Sequence, residues 1–235
     1  MRNTVQDAIS DINKGKMVLV FDFDDRERET DMTIASQFVT AETIREMRKN
    51  AGGLICTTVH NDLKEALDLP FLAEVFGCSS QDHPVLTLLS PNDLPYDTKS
   101  AFGITINHRK TFTGITDKDR ALTVSEFAKL AAQTTRLDAN GLRAEFGRNF
   151  RAPGHIHLLN ASKELLSQRF GHTELTTALM VMAGVTPSST ICEMMGDDGN
   201  ALNKEQARHY AEKNDLCFLE GKQVIEAWRD WGKKR

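Results

Sequence analysis

The stretch that decides the fold is residues 17–31, which read MVLVFDFDDRERETD. Its first five residues are apolar, and such a short run is typical of one buried β-strand. Six carboxylates and two arginines follow within the next ten residues, from Asp22 to Asp31. Because α/β proteins bind ligands where their strands end, we interpret this acidic run as a site for a metal ion and an anion. The alternative is a solvated turn of mixed charge, which is what most charge runs are.

Outward from this strand, predicted helices and strands alternate along the chain. Helices are indicated over residues 4–12, 41–50, 62–69, 124–132, 174–183, 203–212 and 224–231, with Thr123 and Thr173 among the capping residues. Strands are indicated over residues 54–59, 102–107, 155–159, 189–194 and 216–219. Some successive strands are too close for parallel crossovers, so the sequence predicts an α/β (α+β) fold, a layered sandwich around a mixed β-sheet. We interpret residues 1–235 as a single domain.

Composition narrows the class of protein. A net charge of −4 argues against a nucleic-acid-binding surface, although the chain ends in the basic residues 233–235. The four cysteines form no Cys-x-x-Cys pair, so neither a zinc site nor a disulfide framework is indicated. No apolar run is long enough to cross a bilayer, and the first residues do not resemble a signal peptide. We therefore expect a cytoplasmic protein with neither a membrane nor a nucleic acid as partner.

A second candidate site is residues 169–174, which read RFGHTE where a loop enters a helix. Free backbone N–H groups at a helix start attract an anion, Gly171 allows a close approach, and Arg169 adds a charged fork. The segment therefore predicts a phosphate-binding loop. His172 is open to three interpretations, as a metal ligand, a proton carrier or only a helix cap.

Two further segments place polar groups in a predicted strand. His155 and His157 have strand spacing after Pro153-Gly154, so both imidazoles could face one metal ion. With no third ligand nearby, an ordinary turn before a strand is favoured for His157, whereas His155 is kept as a weaker candidate for the site. Glu193 follows apolar residues, so it either pairs with an arginine or acts as an acid or base with a raised pKa.

Together these segments resemble one family, 3,4-dihydroxy-2-butanone 4-phosphate synthase, over nearly the whole chain. The most specific piece is residues 24–31, DDRERETD, which matches the family's acidic loop of the form D-R-E-x-E-x-D. The others follow in the family's order: Thr113-Gly114 with Asp119-Arg120 and Thr123, then Pro153-Gly154-His155, then residues 169–174, then Cys192-Glu193 with Asp197-Asp198-Gly199.

The chain also departs from the family pattern in its two loops. Arg28 and Thr30 stand where many members have Asn and Gly, and Phe170 stands where they have a second Gly. Thr30 lacks glycine's freedom at positive φ, so the geometry of the acidic loop is open to change.

The resemblance implies a lyase of riboflavin biosynthesis that converts ribulose 5-phosphate to 3,4-dihydroxy-2-butanone 4-phosphate and formate. It implies that Glu27 and His172 ligate Mg²⁺, with Mn²⁺ as an alternative and two ions per site. It also implies a homodimer with sites near the subunit interface. Asp22 and Cys56 align with active-site positions. The residues it implies for substrate binding are Arg26, Glu27, Asp31, Arg169, Phe170, Gly171, His172, Thr173 and Glu193.

The chemistry of that reaction suits the acidic residues. Removing the C3 proton of ribulose 5-phosphate builds negative oxygen, which a divalent metal stabilises, while carboxylates move protons. Asp31, Glu29 and Glu193 are candidates for the base, in no order.

Two alternative functions remain open from the sequence. The first is a haloacid-dehalogenase-type phosphatase with Asp22 as nucleophile and Asp24 as general acid. The second is a non-catalytic protein that binds a sugar phosphate or a metal.

Overall fold

The strands form one mixed sheet. The computed structural model describes residues 2–90, 93–97 and 99–233. In these ranges the strands are β1 (Val18–Phe21), β2 (Thr30–Ala35), β3 (Cys56–Val59), β4 (Phe102–His108), β5 (Phe150–Asn160), β6 (Ser189–Glu193) and β7 (Cys217–Glu220). Their order is β4-β5-β3-β6-β2-β1-β7. The β1–β7 and β3–β5 pairs are parallel and the others antiparallel, which confirms the predicted mixed sheet.

Helices lie in every connection between successive strands except that between β1 and β2. They are α1 (Val5–Asn13), α2 (Ala41–Glu46), α3 (Asn61–Leu67), α4 (Leu72–Cys78), α5 (Val85–Leu88), α6 (Asp117–Ala131), α7 (Ala139–Asn149), α8 (His172–Ala183), α9 (Lys204–Lys213) and α10 (Gly221–Gly232). Short polar side chains cap the N-termini of several helices. Thr4, for example, forms a capping box at the start of α1. The helix α2 continues into a π-helix, Met47–Ala51, and α8 ends at Gly184 with φ 70°.

The helices cover both faces of the sheet, because side chains alternate along each strand. On β1, Leu19 and Phe21 pack in the core that α2, α6 and α9 cover. Val18 and Val20 point the other way, into the core formed with α1, α8 and α10. This arrangement confirms the layered sandwich of the α/β (α+β) class.

The predicted start of α6 is wrong. The helix begins at Asp117, seven residues before the predicted start, because Thr116 caps it by accepting the N–H of Asp119. Thr123 is buried inside the helix, where its hydroxyl accepts the N–H of His108 at 3.0 Å and donates to a backbone carbonyl of its own helix. The capping-box pattern in the sequence therefore gave a wrong helix start, because the hydrogen-bond partner of Thr123 lies on β4.

The predicted turn at Pro153-Gly154 is also wrong, because these residues lie within β5. The β4–β5 register shifts next to them, between Ile106 and Asn107, as in a β-bulge. A Cβ on Gly154 would collide with the backbone of Ile106. Glycine here allows two strands to approach closely and does not end one.

One strand and three helices had no counterpart in the prediction: β2, α4, α5 and α7. The strand β2 is the important omission, because it lies between β1 and β6 and is buried along its whole length. Its sequence, TDMTIA, mixes polar and apolar residues and follows the acidic run directly. The acidic run is therefore the connection between two adjacent strands, and its last residue, Asp31, belongs to the second of them.

Candidate functional site

The acidic loop, residues 22–29, is folded by its own first carboxylate. Asp22 lies just past β1, and its two oxygens accept the backbone N–H groups of Glu27 at 2.9 Å and Glu29 at 3.1 Å. Arg26 Nη1 adds a third contact at 3.3 Å. The residue at positive φ is Arg28, at 61°, and Thr30 starts β2. Asp22 therefore organises the loop, and the loop does not require glycine at Thr30.

His172, the first residue of α8, is held by this loop. Its Nδ1 lies 3.0 Å from Glu27 Oε2, its Nε2 lies 3.2 Å from the carbonyl oxygen of Glu29, and Asp31 Oδ1 lies 3.7 Å from the same Nε2. Burial opposes a charge on the imidazole, but the carboxylates of Asp31 and Glu27 outweigh it and raise the pKa of His172 to about 10. Each ring nitrogen of His172 thus has an oxygen of this loop within hydrogen-bonding distance.

Four carboxylates interact with one another beside this loop, and we call Glu27, Glu29, Asp31 and Glu193 the acidic group. Asp31 faces Glu193 in the β2–β6 register, is 1% exposed, and has one oxygen, Oδ1, with no hydrogen-bond partner among the described residues. Burial raises the pKa of Asp31 well above its ordinary value, and burial with the charge of Glu27 also raises the pKa of Glu29.

The carboxylate of Glu193 is fixed by the backbone before β3. Its Oε2 accepts the N–H of Leu54 at 2.8 Å, and its carbonyl accepts the N–H of Gly53 at 3.0 Å. A Cβ on Gly53 would lie 2.7 Å from that carbonyl oxygen and would collide with the carboxylate. Glycine at this position lets the carboxylate approach the backbone.

The ligand atoms of the acidic group, together with those of Asp22 and His172, fit a hard divalent cation. Asp22, Glu27 and His172 each offer a ligand atom within 4.8 Å of the others. Since both oxygens of Asp22 already accept backbone N–H groups, Glu27, His172 and the free oxygen of Asp31 are the better ligands. Carboxylate oxygens suit Mg²⁺ and Mn²⁺, and imidazole is also a common ligand of divalent metals.

Two arginines converge beside the acidic group, at the start of α8. Arg169 Nη1 donates to Glu174 at 2.6 Å, and the carboxylate of Asp97 accepts from Arg169 Nε at 2.7 Å and from Arg26 Nη2 at 2.8 Å. A Cβ on Gly171 would lie 2.5 Å from Arg169 and 2.8 Å from Arg26. We call Arg26, Arg169 and Asp97 the basic group, and Gly171 makes room for it.

Residues of both groups line one cavity of about 310 Å³, although Glu29 and Arg26 are not among its described lining residues. Its lining includes six of the residues predicted for the site: Glu27, Asp31, Arg169, His172, Thr173 and Glu193. Tyr96 and Asp97 also line it, and the sequence analysis missed both. They belong to no motif and lie about 70 residues from each arginine, so no local pattern marks them.

Outside this lining, as far as the described residues go, lie seven other candidates: Asp22, Arg26, Glu29, Cys56, His155, Phe170 and Gly171. Phe170 is 41% exposed and lines an outer cavity of about 750 Å³. Cys56 is buried in β3, and burial raises the pKa of its thiol well above the ordinary value. His155 bonds to Asn107, through its N–H at 2.9 Å and its Nδ1 at 3.0 Å.

Comparison with known proteins gives a consistent answer. A family model described as 3,4-dihydroxy-2-butanone 4-phosphate synthase matches residues 6–227. The protein of that name from Methanothermobacter thermautotrophicus is 47% identical over 97% of this chain and 96% of its own length. The Archaeoglobus fulgidus protein of the same name is 40% identical, over 95% and 93%.

Solved structures agree in fold. A 3,4-dihydroxy-2-butanone 4-phosphate synthase in complex with two magnesium ions has a TM-score of 0.73 at 25% identity, covering 96% of both chains. A two-domain synthase from A. baumannii has a TM-score of 0.74 at 27% identity, covering 94% of this chain and 56% of the other. With the family match along almost its whole length, the chain belongs to the 3,4-dihydroxy-2-butanone 4-phosphate synthase family, whose members are lyases.

Proposed function

We propose that this chain converts ribulose 5-phosphate to 3,4-dihydroxy-2-butanone 4-phosphate and formate in riboflavin biosynthesis. The observation that carries the proposal is one cavity lined by both an acidic group and a basic group. The substrate needs both, because one end is a phosphate and the other is a polyol that must be enolised. The water eliminated early in the reaction is added back before formate leaves, so atoms balance without another reactant.

The basic group and the start of α8 would bind the phosphate. Arg169 offers a guanidinium fork, and α8 supplies free backbone N–H groups at the positive end of its dipole. Gly171 has no side chain to exclude the anion. Arg26 is also 2.7 Å from Glu27, so a phosphate held by the arginines would direct the sugar toward the acidic group.

Within the acidic group, Asp31 is best placed to take the C3 proton. It lines the cavity and keeps one buried oxygen without a hydrogen-bond partner among the described residues. Glu193 also lines the cavity, but one of its oxygens is already bound to the backbone of Leu54. Glu29 is not among the lining residues that the structure describes, and its carbonyl serves to hold His172.

We propose Glu27 and His172 as ligands of Mg²⁺ or Mn²⁺, with two ions per site. When bound, the metal supplies Lewis-acid stabilisation of negative oxygen on the substrate. Asp22 holds the loop that carries Glu27, and the start of α8 holds His172 against that loop. The family member solved with two magnesium ions supports this assignment.

We also propose that the chain acts as a homodimer. Val85 and Leu88 in α5 and Leu89 directly after it are 58%, 85% and 62% exposed, and large exposed apolar side chains mark interaction surfaces when they cluster. A second subunit would cover such side chains and shield the cavity from water. Light scattering of the purified protein tests the proposal, and a fully active monomer would contradict it.

The phosphatase alternative loses its support at Asp22. A nucleophilic aspartate needs a free oxygen facing the substrate, but both oxygens of Asp22 accept backbone N–H groups of its own loop. A non-catalytic binding protein is the alternative that an assay must address.

Incubation with ribulose 5-phosphate and Mg²⁺ distinguishes these functions. The synthase releases formate and leaves the phosphate on the four-carbon product. Release of inorganic phosphate would indicate a phosphatase instead, and the absence of both products would indicate a binding protein.

A further inference from the structure

The carboxylate of Asp97 lies between two guanidiniums at the start of α8. Its Oδ2 is 2.8 Å from Arg26 Nη2, 2.7 Å from Arg169 Nε and 2.6 Å from Arg169 Nη2. The Asp97 and Arg26 side chains are each 9% exposed, and that of Arg169 is 16% exposed. Three N–H groups from two arginines thus converge on a single anionic oxygen, which is how arginines also bind a phosphate.

If Asp97 leaves this position, each of the two arginines keeps another carboxylate partner. Arg26 keeps Glu27 at 2.7 Å, and Arg169 keeps Glu174 at 2.6 Å. Residues 93–97 belong to no helix or strand, so fewer backbone hydrogen bonds hold them than hold the sheet. Both arginines would remain paired while Asp97 moved to solvent.

The same segment separates two cavities. Leu94, Tyr96 and Asp97 line both the inner cavity of about 310 Å³ and the outer one of about 750 Å³. Moving these side chains would join the two spaces and open a path from solvent to the acidic group. Anion binding at the arginines and access to the cavity are therefore linked through one residue.

We propose that Asp97 occupies the position of the substrate phosphate in the free protein and is displaced when the phosphate binds. This inference rests on the proposed function, in which Arg169 anchors that phosphate. A phosphate dianion carries more charge and more acceptor oxygens than a carboxylate, so it displaces Asp97, whereas a sugar without phosphate cannot. Asp97 thereby makes the cavity selective for phosphorylated sugars.

The test is calorimetric titration of metal-free protein with inorganic phosphate at pH 8. Asp97→Asn keeps the shape of the side chain but removes the competing charge. We expect it to bind phosphate about tenfold more tightly than wild type, because a hydrogen-bonded charge no longer has to be displaced. Asp93→Asn is the matched control, since Asp93 is exposed in the same segment, and it should change the affinity less than about twofold.

Weaker or unchanged phosphate binding by Asp97→Asn would overturn the inference, since it would mean that Asp97 positions the arginines for the ligand. Asp97→Ser provides the same test if the asparagine variant does not fold. Arg169→Ala separates the inference from its basis. Loss of phosphate binding in Arg169→Ala supports Arg169 as the residue that anchors the phosphate. Unchanged binding contradicts both that role of Arg169 and the displacement of Asp97 by phosphate. Formate release tests the proposed function separately from these measurements of phosphate binding.

Discussion

The acidic and basic groups line the same cavity but differ in how their charges are balanced. In the basic group each guanidinium has carboxylate partners, and Arg169 is satisfied by Asp97 and Glu174. In the acidic group, burial and the charges of the other three carboxylates raise the pKa of Asp31, and Asp31 keeps a buried oxygen with no hydrogen-bond partner among the described residues. One side is complete without a ligand, whereas the other requires a cation. We infer that the acidic side acquires a metal and that the basic side exchanges an internal anion for the substrate.

The largest expected effect comes from removing a ligand on the acidic side. Glu27→Gln and His172→Ala should each lower kcat by about a thousandfold or more, because each deletes a proposed ligand of the metal that would stabilise negative oxygen. Formate release at saturating Mg²⁺ measures this, with circular dichroism to verify folding.

Asp24→Asn is the matched control for the acidic loop. Asp24 lies in the same loop, but its carboxylate is 81% exposed and pairs with Lys204. It should retain close to wild-type activity. Wild-type rates in either Glu27→Gln or His172→Ala would show that the metal site lies elsewhere.

A smaller effect is expected on the basic side, and it should change KM instead of kcat. Arg169→Ala should raise the KM for ribulose 5-phosphate by about 10- to 100-fold, because a charge-assisted hydrogen bond contributes about 1.5–3 kcal/mol. The KM should approach that for unphosphorylated ribulose, measured in the same assay. Arg136→Ala, at an exposed position after α6, is the control. Unchanged discrimination between the two sugars would contradict the difference between the groups.

Two glycines sharpen the comparison further, because each makes room for one group. Gly53→Ala should lower kcat by displacing Glu193, and Gly171→Ala should raise KM by displacing the arginines. We expect changes of about tenfold, since side chains can adjust in part. Gly147→Ala is the control, because a Cβ there meets no atom within 4 Å and alanine favours its helix. The same kinetic change in both site variants would show that the two groups do not act separately.

The acidic group was predictable from sequence to the extent that it is local. Residues 22–31 are consecutive, so their charges and the strand before them are visible without a structure. The sequence did not indicate that Asp31 belongs to β2, because this central strand is buried on both faces and carries polar residues. Polar and apolar residues along β2 therefore do not alternate as they do in a strand with one exposed face.

The basic group was only half predictable. Arg169 precedes a helix start in a recognisable motif, whereas Asp97 reaches it from a segment 72 residues earlier. Contacts between irregular segments depend on tertiary packing, and they leave no periodic signal in the sequence. The Thr123 cap failed for the same reason, since that hydroxyl bonds to His108 in β4.

The smallest effect is expected at the cysteines. Burial raises the pKa of the Cys56 thiol well above its ordinary value and that of Cys192 to about 12, so both stay protonated and shielded at pH 8. Iodoacetamide should therefore modify the exposed Cys78 first, with little change in formate release. Mass spectrometry identifies the modified residue. Rapid labelling of Cys56 with loss of activity would instead restore it as a catalytic candidate.

The most direct test of the central claim is an NMR experiment with ribulose 5-phosphate carrying ¹³C at C4. Added to metal-free protein, the sugar should bind through the basic group and remain intact. After Mg²⁺ is added, the label should appear in formate while ³¹P spectra show a phosphorylated product and no inorganic phosphate. Formate produced before the metal is added, or a label that stays in the sugar after it, would contradict the account.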